Sequence, residues 1–260
     1  MIFDKLLNKI KKTAPPAQKY APPLDPPKSG MDKETILKKI AEVPFWWHYI
    51  ELGHGVVTPG HQGGENNPGA SKEILARFHL PENFSGKTVL DIGAFDGLFA
   101  LEAEKRGAAR VLAIDNFNHL EKEGKHLERG FIPLQIAREI LASKVEYKEM
   151  DAMDVAPEKI GTFDVVLFLG VLYHLKNPVL ALEKVASVTK ELAIIESLYF
   201  DKYNDEAVAW FFEKDEWKND PTNWWSPNQK CIEAMTRAAG FKRVECVSKS
   251  NGRITLHAFK

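Results

Sequence analysis

From Lys87 onward, short aliphatic runs alternate with stretches whose apolar residues recur at helical spacing. That alternation is the pattern of a parallel sheet covered by helices on both faces. Strands are predicted over about 87–92, 110–114, 145–149, 163–169 and 191–197, with helices over about 97–106, 131–142, 178–188 and 228–239. Two final segments, near 242–248 and 252–259, alternate apolar and polar positions and predict a C-terminal antiparallel pair. Because parallel crossovers are right-handed, the expected fold class is α/β with a doubly wound, mostly parallel sheet.

Upstream of Lys87 the pattern is different. Residues 1–12 set Ile2, Phe3, Leu6, Leu7 and Ile10 among lysines, a basic amphipathic turn suited to docking on its own domain or touching a membrane surface or partner. Residues 13–30 are proline-rich and read as a semi-rigid linker. A helix is expected over 32–42, capped by Asp32 and stopped by Pro44, and a second over 71–78. Between them lie the aromatic run Pro44-Phe45-Trp46-Trp47-His48-Tyr49 and a Gly/Pro-rich loop, 58–64. The expected division is therefore residues 1–30 as turn and linker, 31–85 as a helical and aromatic cap or lid, and 86–260 as the main domain, with a 198–227 insertion on the substrate side.

A length of 260 residues suits one large α/β domain with an extension. The formal charge of −1 lacks the basic surplus of proteins that grip many phosphates, so a nucleic-acid substrate is disfavoured. Cys231 and Cys246 have no metal-like spacing, and no metal is expected. Apolar runs fall short of the roughly 18–20 residues that span a bilayer, and the first residues lack a signal-peptide pattern, so a cytoplasmic protein is the expectation. Oligomeric state is not legible.

The chemistry concentrates at strand ends. Val89-Leu90-Asp91-Ile92-Gly93-Ala94-Phe95-Asp96-Gly97 joins the first main strand to a helix, where doubly wound sheets bind ligands. Its spacing is Gly93-x-x-x-Gly97, whereas a dinucleotide fingerprint needs glycines at the positions held by Phe95 and Leu98. Asp91 and Asp96 would repel a pyrophosphate and tolerate a cation, which points from NAD towards S-adenosylmethionine (SAM). Asp115, about 20 residues after the loop, is placed to accept from ribose hydroxyls, with Asn116 beside it. Asp151, Ala152 and Met153 are placed to meet the adenine. The cofactor set expected is thus Asp91, Gly93, Ala94, Phe95, Asp96, Gly97, Asp115, Asn116, Asp151, Ala152, Met153, Leu169, Gly170 and Tyr173.

Tyr49-Ile50-Glu51-Leu52, Thr58-Pro59-Gly60, the glycine loop and above all Gly170-Val171-Leu172-Tyr173-His174 carry a resemblance. From Trp46 onward the chain resembles the class I, Rossmann-like methyltransferases. More narrowly it is similar to the tRNA wobble-uridine (mo5U34/cmo5U34) methyltransferase and carboxymethyltransferase family. The resemblance implies transfer from SAM or carboxy-SAM. In the carboxymethyltransferase a lysine, a tyrosine and a C-terminal arginine hold the extra carboxylate. Tyr173 matches the tyrosine, the lysine's position corresponds to His54, and no clear match exists for the arginine. Without the lysine the carboxylate loses a charge-assisted bond worth about 1.5–3 kcal/mol, so plain SAM is expected.

Methyl transfer is an in-line displacement, and a base is needed only if the nucleophile must lose a proton. The candidates are His174, His54, His61 and Glu196, with Tyr173 nearer the cofactor. A small-molecule acceptor is the first expectation and tRNA the family-level alternative. A non-catalytic binding module on the same fold is the rival of another class, with an NAD-dependent oxidoreductase behind it.

Overall fold

The most continuously aliphatic stretches form the middle of the sheet. In the computed structural model, which describes residues 21–62, 67–117 and 130–260, β6 (Phe163–Leu169) and β7 (Thr189–Leu198) lie beside β3 (Thr88–Ile92). These strands are apolar on both faces because helices cover both. On one side pack α3 (Leu98–Lys105) and α4 (Ile132–Leu141), and on the other α6 (Pro178–Val188) and α7 (Gln229–Ala238). Next to β3 lie β4 (Arg110–Asp115) and the edge strand β5 (Glu146–Glu149), whose four residues are exposed and charged or aromatic. Charge on an edge strand discourages pairing with another chain.

The seven-stranded order is β10-β11-β7-β6-β3-β4-β5, where β10 spans Arg243–Ser250 and β11 Arg253–Phe259. The expected C-terminal pair is antiparallel, and β11 also runs antiparallel to β7, so β11 is the reversed strand of the sheet. The class is α/β, doubly wound and mostly parallel. Strand order reverses between β3 and β6, which opens the crevice for a ligand at their carboxyl ends.

Residues upstream of the sheet share its core. Helix α1 (Lys33–Ala41) starts at Asp32, whose carboxylate accepts from the Thr35 amide at 2.8 Å, and buries Ile36 and Ile40. The pair β1 (Glu51–Gly53) and β2 (Val56–Val57), then α2 (Ala70–Phe78), follow. Their apolar residues join one cluster with Val89, Leu98, Leu134 and Leu167. Two hairpins escaped the sequence pattern, β1–β2 and the pair of β8 (Ala209–Phe211) with β9 (Trp225–Pro227). So did the four-residue helix α5 (Pro157–Ile160). Strands of two or three residues are too short to display an alternation. The amphipathic turn expected over 1–12 lies outside the described residues. None of the helices described is long and apolar enough to cross a membrane.

The 198–227 insertion is tied down at both ends. Asn228 caps α7 by accepting from the Cys231 amide at 2.9 Å, and its amide nitrogen donates to the Lys202, Tyr203 and Glu206 carbonyls. Close to that same end the Trp224 amide donates to the Tyr173 carbonyl at 2.8 Å.

Candidate active site

Strand β3 ends by delivering Asp91 into the crevice. Asp91 is 1% exposed, and neither carboxylate oxygen lies within bonding distance of a hydrogen-bond partner among the described residues. Burial pushes its pKa up to about 8; the nearby Ala100 amide offsets part of this, while Asp115 and Asp96 add repulsion. A buried charge without compensation is costly, so the site is electrostatically incomplete in isolation.

The loop that follows needs its glycines. Gly93 has φ +77° and Gly97 φ +86°, a region L side chains rarely enter. A Cβ on Gly93 would meet Val171 at 2.3 Å, and one on Gly97 would meet Leu134 at 2.4 Å. The Gly93 and Ala94 amides donate to the Ile114 carbonyl, which folds the loop over β4. Phe95 also takes a left-handed conformation, φ 54°, and its amide donates to Asp115 at 2.9 Å. The other Asp115 oxygen accepts from the Phe117 amide at 2.8 Å.

Asp96 turns away from the crevice mouth. Wholly buried, it accepts from the Trp47 amide at 2.9 Å and the His48 amide at 2.8 Å, and also meets His48 Nδ1. The Phe95 ring packs edge-on against Phe45, Trp47 and His48. The aromatic run is thereby fastened to the glycine loop. His48 was not among the residues singled out by sequence; a lone histidine between tryptophan and tyrosine gives no signal of a partner 48 positions away.

Asn116 and Asp151 meet. The Asn116 amide nitrogen donates to Asp151 Oδ2 at 2.6 Å, while Asp151 Oδ1 caps the 3₁₀ turn Ala152–Asp154 through the Met153 amide. Asp151 is thus partly engaged in holding its own turn. Ala152 and Met153 pack on the apolar cluster under α6.

At the end of β6, Leu169 leads into Gly170, φ +76°. A Cβ there would lie 3.7 Å from the Tyr173 hydroxyl and 3.8 Å from Glu196 Oε2, so these two groups converge over Gly170. Arg253 joins them from β11. Its guanidinium lies 4.5 Å from the Tyr173 ring centre, and its Nη1 is 3.5 Å from Glu196 Oε2. The register explains the meeting: Thr255 stands opposite Glu196, which puts Arg253 one diagonal step away on the same face. Burial works against the Arg253 charge, but Tyr173 and Glu196 carry its pKa upward. Burial raises the Tyr173 pKa. On α2, burial lowers the pKa of Arg77, which also feels Glu196 and Arg253. Neither arginine was singled out by sequence, since Arg253 falls on an ordinary polar position of the alternating run Arg253-Ile254-Thr255-Leu256-His257-Ala258.

Of the candidate histidines, His174 lies against this cluster, its ring centre 4.1 Å from that of Tyr173, while His61 and His54 make their ring contacts elsewhere. His174 Nδ1 is 3.0 Å from both the carbonyl and the hydroxyl of Thr222, so it fastens the insertion to the Leu172–His174 turn. His61 stacks on Phe45 at 4.8 Å and its Nδ1 meets the Trp46 carbonyl at 2.9 Å. His54 sits in the β1–β2 turn, where Nε2 is 3.2 Å from the Met31 carbonyl.

A family model described as a methyltransferase domain matches residues 65–246. Curated relatives include the tRNA U34 carboxymethyltransferases of Syntrophotalea carbinolica and Pseudomonas paraeruginosa, each 28% identical over 64% of this chain. The chain spans about half the length of these relatives, 48% in both cases. Among solved structures, the N-terminal domain of EvdMO1 in the presence of SAH and D-fucose superposes with a TM-score of 0.64 at 18% identity, over 89% of this chain and 97% of that one. An S-adenosylmethionine-dependent methyltransferase from Mesorhizobium loti superposes with a TM-score of 0.51 at 15% identity, over 74% and 99%. At such identities the likeness concerns the fold.

Proposed function

Since this chain belongs to the methyltransferase-domain family, we propose that it moves the methyl group of SAM to a small-molecule acceptor. The observation that carries the cofactor assignment is Asp91. A carboxylate that is buried, without partners, and flanked by two more carboxylates fits a cation and repels a phosphate. SAM is such a cation, and when bound it supplies an activated methyl carbon for in-line displacement.

The residues that would hold it are Asp91 and the Gly93–Gly97 loop for the cationic portion, Asp115 with Asn116 for the ribose, and Asp151 to Met153 for the adenine. Gly170 and Tyr173 border the transfer position. The aromatic run held by Asp96 excludes water from one side of the crevice. Glu196 is the best-placed acidic group for accepting a proton, because Oε2 faces the Gly170 position. His174 acts as a positioning residue through Thr222, and His61 and His54 have their ring bonds elsewhere. A cytoplasmic location accords with this chemistry.

A second reading is transfer from carboxy-SAM to a wobble uridine, the activity in the names of the curated relatives. What supports it is Arg253 against Tyr173, a cation where the resemblance had left the family's arginine without a match. What weighs against it is the lysine's absence, with His54 turned to Met31. Calorimetric titration with SAM, carboxy-SAM and NAD side by side separates the readings. Preference for SAM is expected; preference for carboxy-SAM favours the second reading, and binding of neither sulfonium rejects both.

A further inference from the structure

Strand β11 sends alternate side chains to opposite faces of the sheet. Ile254, Leu256 and Ala258 enter the cluster under α6 and α7, so Arg253, Thr255 and His257 face the other way. Helix α2 lies on that second face, because His257 Nε2 meets the carbonyl of Phe78, its last residue, at 2.9 Å. Arg77 precedes Phe78, and a helical side chain leans back over the preceding turn. Its guanidinium there feels both Glu196 and Arg253.

The insertion closes in on the same group. A Cβ on Gly252 would lie 3.8 Å from the Trp217 ring, so Lys218 follows close to Arg253. Partial burial, then repulsion from Arg253, lowers the Lys218 pKa. Trp217 packs on Tyr173, Leu198 and Phe212 and gives the group one apolar wall.

Three cations thus gather near Gly170, and the carboxylate buried among them is Glu196, 3.5 Å from Arg253. Arg77 and Lys218 form no ion pair among the described residues. Asp220 stands nearby but is held by the Thr222 amide and hydroxyl, at 3.1 and 2.7 Å. Glu73, one turn before Arg77, is exposed, where solvent screens it. Drawing like charges together while taking them out of water costs free energy that an anion returns.

The group is open to such an anion. The Arg253 side chain is 31% exposed, and Gly170 and Arg77 are partly exposed as well. A guanidinium has five donors, and Arg253 commits only some of them to Glu196 and the Tyr173 hydroxyl.

We propose that the methyl acceptor is a small organic acid whose carboxylate docks on Arg253 between Arg77 and Lys218, with its methyl-accepting atom at Gly170 beside Glu196. The proposal rests on the methyl-transfer reading above and makes the acceptor a monoanion. Three cations against Glu196 and Asp220 leave one positive charge, which a carboxylate neutralises and a phosphate dianion overshoots.

The probe is 4-fluorobenzoate, followed by fluorine NMR with the full chain and SAM, beside neutral 4-fluorobenzamide and dianionic 4-fluorophenyl phosphate. The benzoate should bind at least about tenfold tighter than the amide, the size of one charge-assisted bond. Arg77→Gln and Lys218→Gln should each weaken it about threefold, as for partly screened charges, and Arg253→Gln should lose it. SAM binding at parental affinity reports that each variant folds; if Arg253→Gln does not fold, the other two decide. Magnetisation transfer from the SAM methyl to the benzoate ring is also expected. Equal affinity for benzoate and amide, or benzoate binding unchanged in all folded variants, overturns the site. Tighter binding of the phosphate overturns the monoanion. Benzoate bound without contact to the SAM methyl overturns its role as an acceptor. If the substitutions weaken carboxy-SAM and leave benzoate unchanged, the carboxylate belongs to the donor and the proposal fails. Benzoate binding without SAM binding overturns the methyl-transfer reading itself.

Discussion

Asp91, proposed above to recognise the cofactor, is a liability to the free protein. Its folded-state pKa of about 8 stands far above the ordinary 3.8. Between those values the folded protein holds a proton that the unfolded chain releases, so this group's contribution to stability falls as pH rises through the window. Asp91→Asn removes the penalty: without cofactor its melting temperature should match or exceed that of the parent, with the gap widening from about pH 4 to about pH 8 and levelling off above. Cofactor affinity should move the opposite way, dropping about tenfold or more, because a charge-assisted contact is lost. A variant that melts earlier at high pH would contradict this account. Asp115→Ala should also weaken SAM binding; unchanged affinity would remove Asp115 from the ribose assignment.

At the scale of elements, the glycine loop works because it is clamped from both sides. Gly97→Ala forces a methyl group into Leu134 in a left-handed conformation and should cost about 1–3 kcal/mol, read by denaturant unfolding. Asp96→Asn weakens the bonds to the Trp47 and His48 amides, and hydrogen exchange at those two amides should accelerate while α6 stays protected. The central elements were legible in the sequence for a simple reason. Strands such as β6, buried on both faces, must be continuously apolar, and α6 carries its own start signal in Pro178. The glycine loop was legible because its spacing is local. His48 with Asp96 and Arg253 with Glu196 were not, since the partners are 48 and 57 positions apart and meet only through the fold. His174 shows the converse. A short motif made it a candidate base, and only the fold brings its Nδ1 to Thr222, 48 positions away.

Across the whole molecule, the side proposed for the acceptor is covered by segments that the sheet does not itself supply. The 198–227 segment is held by Asn228, which ties its two ends together, and by Trp224, which bonds the Tyr173 turn. Asn228→Ala removes the α7 cap and three carbonyl contacts. It should destabilise by about 1–2 kcal/mol and speed proteolytic cleavage within the insertion, while SAM affinity is preserved. Loss of SAM binding in that variant would mean that the insertion and the cofactor crevice are one structural unit.

The attachment of the aromatic run to Asp96 has a thermodynamic corollary. Asp96 lies on the loop that leaves β3, five positions after Asp91, so whatever orders that loop also orders residues 44–49. Linkage between the two is reciprocal: a cofactor that tightens the cap by some factor obliges any molecule gripping the cap to tighten the cofactor by the same factor. Residues 44–49 are thus a handle through which affinity in the crevice can be tuned from outside, with no contact to the cofactor itself.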